Sequence, residues 1–379
     1  MARSPLRKSA PKYQQVLDLL QQEILAGKYP PGTRLPSEAA LSQRFASSRI
    51  TVGRAVRELR ARGLVDRRAG SGTFVRATRA KGTGGLLFGL LIPDLGETEI
   101  FEPICQGMAG SPLASKHALL WGHVAPDAPS KEEGAWQLCQ QYLERQVAGV
   151  FFAPLEMTAA SADMNRRIIE ALDAARIPVV LLDRDILPYP DRSRHDLVGI
   201  DNRRAGYVST LHLWRACGRR RLAFLAYPEA AATVEARIAG YRGALFVMDA
   251  PADGALVWRI DPEKVEEVEQ RMKFHRPDGI VCANDRVAGR LMHTLLGLGY
   301  RLPQEVGIVG IDDVEYASLL PIPLTTVRQP CREIGAAAMA VMLERVAQPT
   351  MLTRDILLDC RLVVRASGGS ATVTAANRA

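Results

Sequence analysis

The side chains best suited to chemistry in this chain are polar groups that close a series of apolar strips. Asp94, Asp183-Arg184, Asp201-Asn202, Asn284-Asp285 and Asp312-Asp313 end or follow the runs FGLLIPD, PVVLLDRD, LVGIDN, GIVCAND and EVGIVGIDD. Gathered in one cleft, carboxylates and amides take paired hydrogen bonds from vicinal hydroxyls. A guanidinium donates to ring or hydroxyl oxygens, and an aromatic ring stacks on the apolar face of a sugar. This is the chemistry of binding. Each position taken singly suits a helix N-cap equally well, because Asp and Asn are favoured there; their recurrence is what favours a cleft.

Signatures of bond-breaking chemistry are missing. The sequence has no G-x-S-x-G elbow, P-loop or H-E-x-x-H, and its six histidines (His117, His123, His195, His212, His275, His293) are dispersed. Six cysteines lie scattered in apolar segments without a C-x-x-C pair, so we expect reduced thiols, no metal and no cofactor. GTGGLLFG has the glycines of a dinucleotide loop, but they precede the first strand where the fingerprint must follow it. We therefore expect a protein that is not an enzyme.

A second chemistry belongs to the N-terminal end. Residues 1–81 carry 17 Lys/Arg against 5 Asp/Glu, a net of +12, while the remaining residues carry a net of −4. A compact cationic module on a mildly acidic body suits a polyanion, whose counterions are released as Lys and Arg replace them. The first 15 residues are basic but no apolar run follows them, and nothing approaches the ~20 apolar residues of a membrane span. We expect a cytoplasmic protein with no membrane partner, which also counts against a receptor for transported solutes.

The elements that must position these groups follow from periodicity. Tyr13, Leu17, Leu20 and Ile24 form one helical stripe ending at Gly27; YPPGTRLPSE then makes a stiff turn, and Ser37 caps a short helix with Leu41 and Phe45 on its apolar face. Ser48 caps a third helix with Val52, Ala55, Val56 and Leu59 inward and Arg49, Gly53, Arg57 and Arg60 on the other side. This is a helix-turn-helix pattern, with Arg49 and Thr51 nearest the bases. GLVDRRAGSGTFV reads as a hairpin wing around Ala69-Gly70-Ser71-Gly72. Residues 1–76 thus form a winged helix-turn-helix domain, and 77–85 a flexible linker.

From residue 86 to 366 strands alternate with helices. Continuous apolar strands in repeated βα units imply an α/β fold with doubly wound parallel sheets, and about 280 residues suffice for two lobes. Ligands of such sheets bind beyond the carboxyl ends of the strands. Residues 367–379, small and polar, are expected to be a disordered tail.

Residues 12–76 resemble the DNA-binding domain of the GntR family, through LAGKYPPGTRLPSEAALSQRFASSRITVGRAVRELRARGLVDRRAGSGTFV. That resemblance implies operator DNA as partner and puts Ser37, Arg49, Thr51, Arg68 and Gly70 at or near it. Family members often carry Arg where this chain has Gly53, which leaves Arg54 beside it as the candidate there. The segments IPVVLLDRD, RIAGYRGAL, CANDRVAG and VGIVGIDDVEYASLLPIPLTTVRQPCREIGAAAM resemble the LacI/GalR sensor domain. What this implies is a periplasmic-binding-protein-like fold, homodimerisation and a small effector between the lobes. By position, the effector contacts would be Phe101, Asp183, Arg237, Asn284 and Asp312, with Trp258 as the stacking aromatic. The combination resembles the arabinose-repressor type of regulator, with no recognisable hinge helix in the linker. The expected function is a repressor of sugar-utilisation genes; a corepressor-type regulator answering to purine or another metabolite is the alternative.

Overall fold

The computed structural model describes residues 12–25, 28–29, 32–61, 64–68, 72–75, 85–93, 99–122, 130–156, 160–250 and 256–369. The chain divides into two compact units between Leu86 and Leu87.

The first unit is built on three helices, α1 (Lys12–Leu25), α2 (Glu38–Arg44) and α3 (Arg49–Ala61), and a two-stranded antiparallel ribbon, β1 (Val65–Arg68) with β2 (Gly72–Val75). The apolar stripe of α1 meets Leu41 and the inward face of α3 in one core with Leu35, Val65 and Val75. Fully burying each Leu or Val stabilises the fold by roughly 1.5–3 kcal/mol. The segment expected as a stiff turn does more than turn. Residues 32–35 lie alongside β2, with Gly32 N donating to Val75 O (2.8 Å), Val75 N to Thr33 O (2.9 Å) and Leu35 N to Thr73 O (2.8 Å), so the wing has a third strip. Gly72 serves this close pairing. Its φ is +112°, and a Cβ there would stand 2.5 Å from Arg34 Nε, which favours glycine. The wing tip with Gly70, and most of the expected linker, lie outside the described residues.

The second unit holds two six-stranded sheets. The first runs β13-β7-β6-β5-β3-β4, all parallel, from β3 (Leu87–Leu91), β4 (Ala118–Trp121), β5 (Gly149–Phe152), β6 (Val179–Leu182), β7 (Asp196–Ile200) and β13 (Asp355–Leu358). The second runs β14-β12-β11-β10-β8-β9, from β8 (Leu222–Ala226), β9 (Leu256–Arg259), β10 (Gly279–Cys282), β11 (Gly307–Asp312), β12 (Thr325–Arg328) and β14 (Arg361–Val363), with only β14 antiparallel. Around the first sheet lie α4 (Phe101–Gly110), α5 (Lys131–Glu144), α6 (Ser161–Ala174) and α11 (Cys331–Ala347); around the second lie α7 (Asn202–Arg215), α8 (Ala232–Val247), α9 (Val265–His275) and α10 (Asp285–Gly297). Strands β5, β6, β8 and β10 are buried at every residue, as parallel sheets covered on both faces require.

Two lobes result, and the chain passes between them three times: after β7 into α7, after β12 into α11, and from β13 to β14. In each lobe one helix pair packs at backbone contact. A Cβ on Gly206 of α7 would stand 2.0 Å from Arg237 O of α8, and one on Gly335 of α11 would stand 2.0 Å from Ile104 O of α4.

The segment expected as a tail from 367 is folded at its start. Ala366–Gly368 form a 3-10 turn in which Ser367, 1% exposed, accepts from Thr325 N (2.8 Å) and donates to Ile308 O (2.6 Å). Its small side chain fits a buried socket, which a reading of polarity alone does not reveal. Residues 370–379 lie outside the described set.

Candidate functional site

The strand-end polar groups fall into two kinds. Asp183, Arg184, Asn284 and Asp312 line a cleft between the lobes together with Glu156, Tyr227, Glu229, Thr233 and Arg237, around a cavity of about 60 Å³. Asp201, Asp285 and Asp313 are framework. Asp201 caps α7, accepting from Arg204 N (2.9 Å). Asp285, fully buried, accepts from Thr326 Oγ1 (2.5 Å) and Val314 N (3.1 Å). Asp313 pairs with Arg328 (2.5 Å) and Arg365 (2.6 Å). Asn284 does both jobs: its Oδ1 caps α10 by accepting from Val287 N (2.9 Å), and the residue also lines the cleft. Asp94 lies outside the described residues.

Arg237 organises one wall. It is 4% exposed; its Nε donates to Asn202 Oδ1 (2.8 Å), its Nη1 to Ala283 O (2.6 Å), and its Nη2 lies 3.5 Å from Asp312 Oδ1. Asp312 Oδ1 in turn accepts from Gln329 Nε2 (2.7 Å). Asn202 follows the first passage between lobes and Gln329 stands at the second, so two hydrogen bonds and the Arg237–Asp312 ion pair between them join the cleft wall to two of the three hinge strands. Burial pushes the Asp312 carboxyl up to about 7 against the pull of Arg237, and nearby Asp285 adds to the rise. Asp285 is raised to about 6, again chiefly by burial.

The facing wall comes from the other lobe. Arg184 Nε donates to Pro154 O (2.9 Å), its Nη1 to Asp183 Oδ2 (2.8 Å), and Glu156 stands 3.3 Å away. Asp183 Oδ1 is buried with no hydrogen-bond partner among the described residues. Asp183 (φ +69°) and Asp312 (φ +128°) both hold left-handed backbone, a cost of order 1–3 kcal/mol each that concentrates at binding sites.

Four of the six expected effector residues, Asp183, Arg237, Asn284 and Asp312, therefore meet in the cleft. Phe101 and Trp258 do not line it. Phe101 is fully buried at the start of α4, its ring 5.7 Å from the Arg184 guanidinium, so it supports a cleft residue from behind. Trp258, 1% exposed on the edge strand β9, packs in the core 5.9 Å from the His275 ring. Both segments carry an aromatic because a core needs filling, a cause that sequence position does not separate from stacking on a ligand. The aromatic that does line the cleft is Tyr227, the first residue beyond β8. It and Glu156 were passed over, although the strand-end rule points to Tyr227 directly.

In the first unit, Ser37 caps α2 by accepting from Ala40 N (3.2 Å). Arg49 opens α3 and is exposed, with no ion-pair partner among the described residues. Thr51 is half-buried, its hydroxyl 2.9 Å from Ser48 Oγ, which caps α3 through Thr51 N (3.2 Å). Arg54 lies over the Tyr13 ring at 4.0 Å. Gly53 is buried, a Cβ there standing 3.5 Å from the Glu38 carboxylate, so its face turns to α2. Arg68 ends β1 opposite Gly72. The sequence reading missed Ile50, 83% exposed beside Arg49; an apolar side chain turned outward at this end of a helix is the signal that finds it.

Residues 12–75 match the bacterial regulatory proteins of the gntR family, and residues 210–368 match the periplasmic binding protein-like domain. The chain joins a GntR-type head to a periplasmic-binding-protein-like body. Over 369 residues it is 26% identical to the arabinose metabolism transcriptional repressor of Geobacillus stearothermophilus, covering 95% of this chain and 98% of that protein. Among solved structures, the transcriptional regulator CelR in complex with cellobiose aligns over 94% of this chain and all of its own (TM-score 0.62, 22% identity). A LacI-family regulator from Enterococcus faecium with bound ribose aligns over 76% and 100% (TM-score 0.60, 22% identity). The GntR head and the binding-protein-like body make this protein a ligand-responsive, DNA-binding transcription regulator. No helix among the described residues is long and apolar enough to cross a membrane, and no group of three or more of them could hold a metal ion.

Proposed function

We propose that the protein is a cytoplasmic repressor of sugar-utilisation genes that acts as a homodimer, with a small carbohydrate seated between the lobes modulating its grip on operator DNA. The observation that carries this reading is the convergence of Asp183, Arg237, Asn284 and Asp312 from both lobes on one cleft. Hydroxyl-bearing ligands match that set, since each sugar hydroxyl both donates to a carboxylate and accepts from an amide or guanidinium. The likeness to a repressor of arabinose metabolism, and the fold shared with regulators holding cellobiose and ribose, support the same choice. A nucleobase would draw on aromatic stacking, and Tyr227 is the one aromatic lining the cleft among the described residues. The body serves as the sensor of that ligand.

In the head, Arg49 and Thr51 read the major groove and Arg54 stands beside them. Ser37, whose hydroxyl proton is not used in capping, donates to phosphate. The wing adds Arg68 and Gly70, whose missing Cβ lets the backbone approach the duplex. Closure of the lobes on ligand moves the hinge strands through the chain from Asn202 to Gln329. Coupling is reciprocal, so effector and operator must alter each other's affinity by one factor. Fluorescence anisotropy of labelled operator, titrated with arabinose, xylose, ribose, glucose and cellobiose, tests the reading: one sugar should change operator affinity about 5- to 150-fold. If none does, while operator binding itself is intact, the carbohydrate assignment fails.

A further inference from the structure

The charge balance of the cleft has a consequence for what can enter it. Its lining holds four carboxylates, Glu156, Asp183, Glu229 and Asp312, against two guanidiniums, Arg184 and Arg237. Both guanidiniums are committed. Arg184 is shared among Pro154 O, Asp183 and Glu156, and Arg237 among Asn202, Ala283 O and Asp312. An arriving carboxylate or phosphate would have to strip one of them from a buried partner, leaving that partner's charge uncompensated in a poorly solvated wall. The lining also offers an acceptor with nothing to accept, Asp183 Oδ1, on a residue 7% exposed. A hydroxyl or ammonium satisfies that oxygen; a carboxylate or phosphate group does not, and placed beside it would be repelled.

Two helix ends work the other way. Neither α4, entered at Ile100, nor α8, entered at Ala231, has a side-chain cap, and both entry residues line the cleft. Asp312, ionising at about 7, carries only about half a charge near neutrality, so the excess is about one and a half; a helix N-terminus is equivalent to roughly half a positive charge, and the two together offset about one. The first turn of each already carries an acid, Glu102 and Glu235.

We infer that the cleft selects an uncharged or amine-bearing polyol and excludes anionic sugars, those carrying phosphate or carboxylate. This rests on the carbohydrate reading above and narrows it to one charge class. Asp183 and Glu156 are then determinants of charge specificity as well as partners of Arg184. Glu229, exposed at the rim, screens ligands before they enter.

Calorimetric titration of the full-length protein at low ionic strength tests this with matched sets: glucose, glucosamine, glucuronate and glucose 6-phosphate; galactose, galactosamine and galacturonate; ribose and ribose 5-phosphate; arabinose and arabinose 5-phosphate. In whichever set binds, the neutral sugar should bind about tenfold or more tightly than its anionic counterpart, and the amine should be accepted where the anion is not. An anionic member that binds as tightly as its neutral parent overturns the charge assignment and leaves the carbohydrate reading standing. Silence from every set, neutral and anionic alike, and from xylose and cellobiose beside them, overturns both. The variant Glu229→Lys changes an exposed residue and leaves the buried walls in place. It should narrow the neutral-to-anionic ratio about threefold at low salt and less at high salt. An unchanged ratio at low salt would show that the discrimination does not come from the charge of the cleft.

Discussion

Replacing Asp312 by Asn should remove a pH dependence that the native body carries near neutrality. In the fold this carboxyl ionises at about 7, against an ordinary 3.8, because burial outweighs the attraction of Arg237. A carboxyl with a raised folded pKa binds more protons in the native state than in the unfolded one, so its contribution to stability falls as pH rises through the interval between the two values. Between pH 6 and pH 8 that amounts to about 1 kcal/mol, or roughly 2–3 °C of melting temperature for a body of this size. Asp285, raised to about 6, loses most of its contribution below that window. His195 and His212, both held below 6.5 by burial, act with the opposite sign, adding stability as pH rises toward 6.5, and they do so equally in both proteins. Differential scanning calorimetry without ligand, at pH 6, 7 and 8, should therefore show the native body transition dropping relative to that of Asp312→Asn. Parallel pH profiles for the two proteins would mean that Asp312 is not the group held protonated, and the account of the cleft wall would be wrong.

Arg49→Ala should weaken operator binding by about 1–3 kcal/mol by anisotropy with the calorimetric effector affinity unchanged; equal loss of both would point to misfolding. Ile50→Ser, which alters an exposed side chain, should leave head stability intact and relax discrimination at one base pair of a randomised operator library, the signature of a lost contact to a thymine methyl. Gly72→Ala puts a Cβ 2.5 Å from Arg34 Nε at a φ of +112° and should cost the head about 1–3 kcal/mol, read by circular dichroism melting of the isolated 1–86 unit beside the full chain. Gln329→Leu cuts the hydrogen bond to Asp312 at the second hinge strand. Effector and operator should each still bind while the factor by which one alters the other falls toward unity; full retention of that factor would exclude this residue from the relay.

What could be read from residues alone follows the strength of the physical signal. The strands β3, β5, β6, β8, β10 and β11 announce themselves as continuous apolar strips because helices cover both faces. Strands β9, β13 and β14 do not: short, edge-placed and half-exposed, with burial alternating along β13, they lack the pattern that betrays a buried strand. The third strip of the wing, at 32–35, hid behind the prolines that bracket it. In the cleft, Asp183, Arg237, Asn284 and Asp312 stood out through strand ends and matching motifs, whereas Trp258 was misjudged because an aromatic near a strand end carries no mark of which side it faces. Arg184, although named at its strand end, and Glu156 were not assigned to the site for another reason: what defines them is each other and Pro154 O, about 30 residues apart at neighbouring strand ends, which spacing does not encode.

The threefold passage between lobes also bears on how the body is made. The first sheet starts with β3, near residue 87, yet it receives α11 only after residue 331 and its outer strand β13 only at 355–358. On the ribosome, where synthesis runs from the N-terminus at roughly 5–20 residues per second, the half begun first must wait for nearly the entire message before its layer of helices is complete. A frameshift or stop codon between 330 and 347 would accordingly strip cover from the earliest-made half while sparing most of the later one, a polarity opposite to that of a string of independent modules.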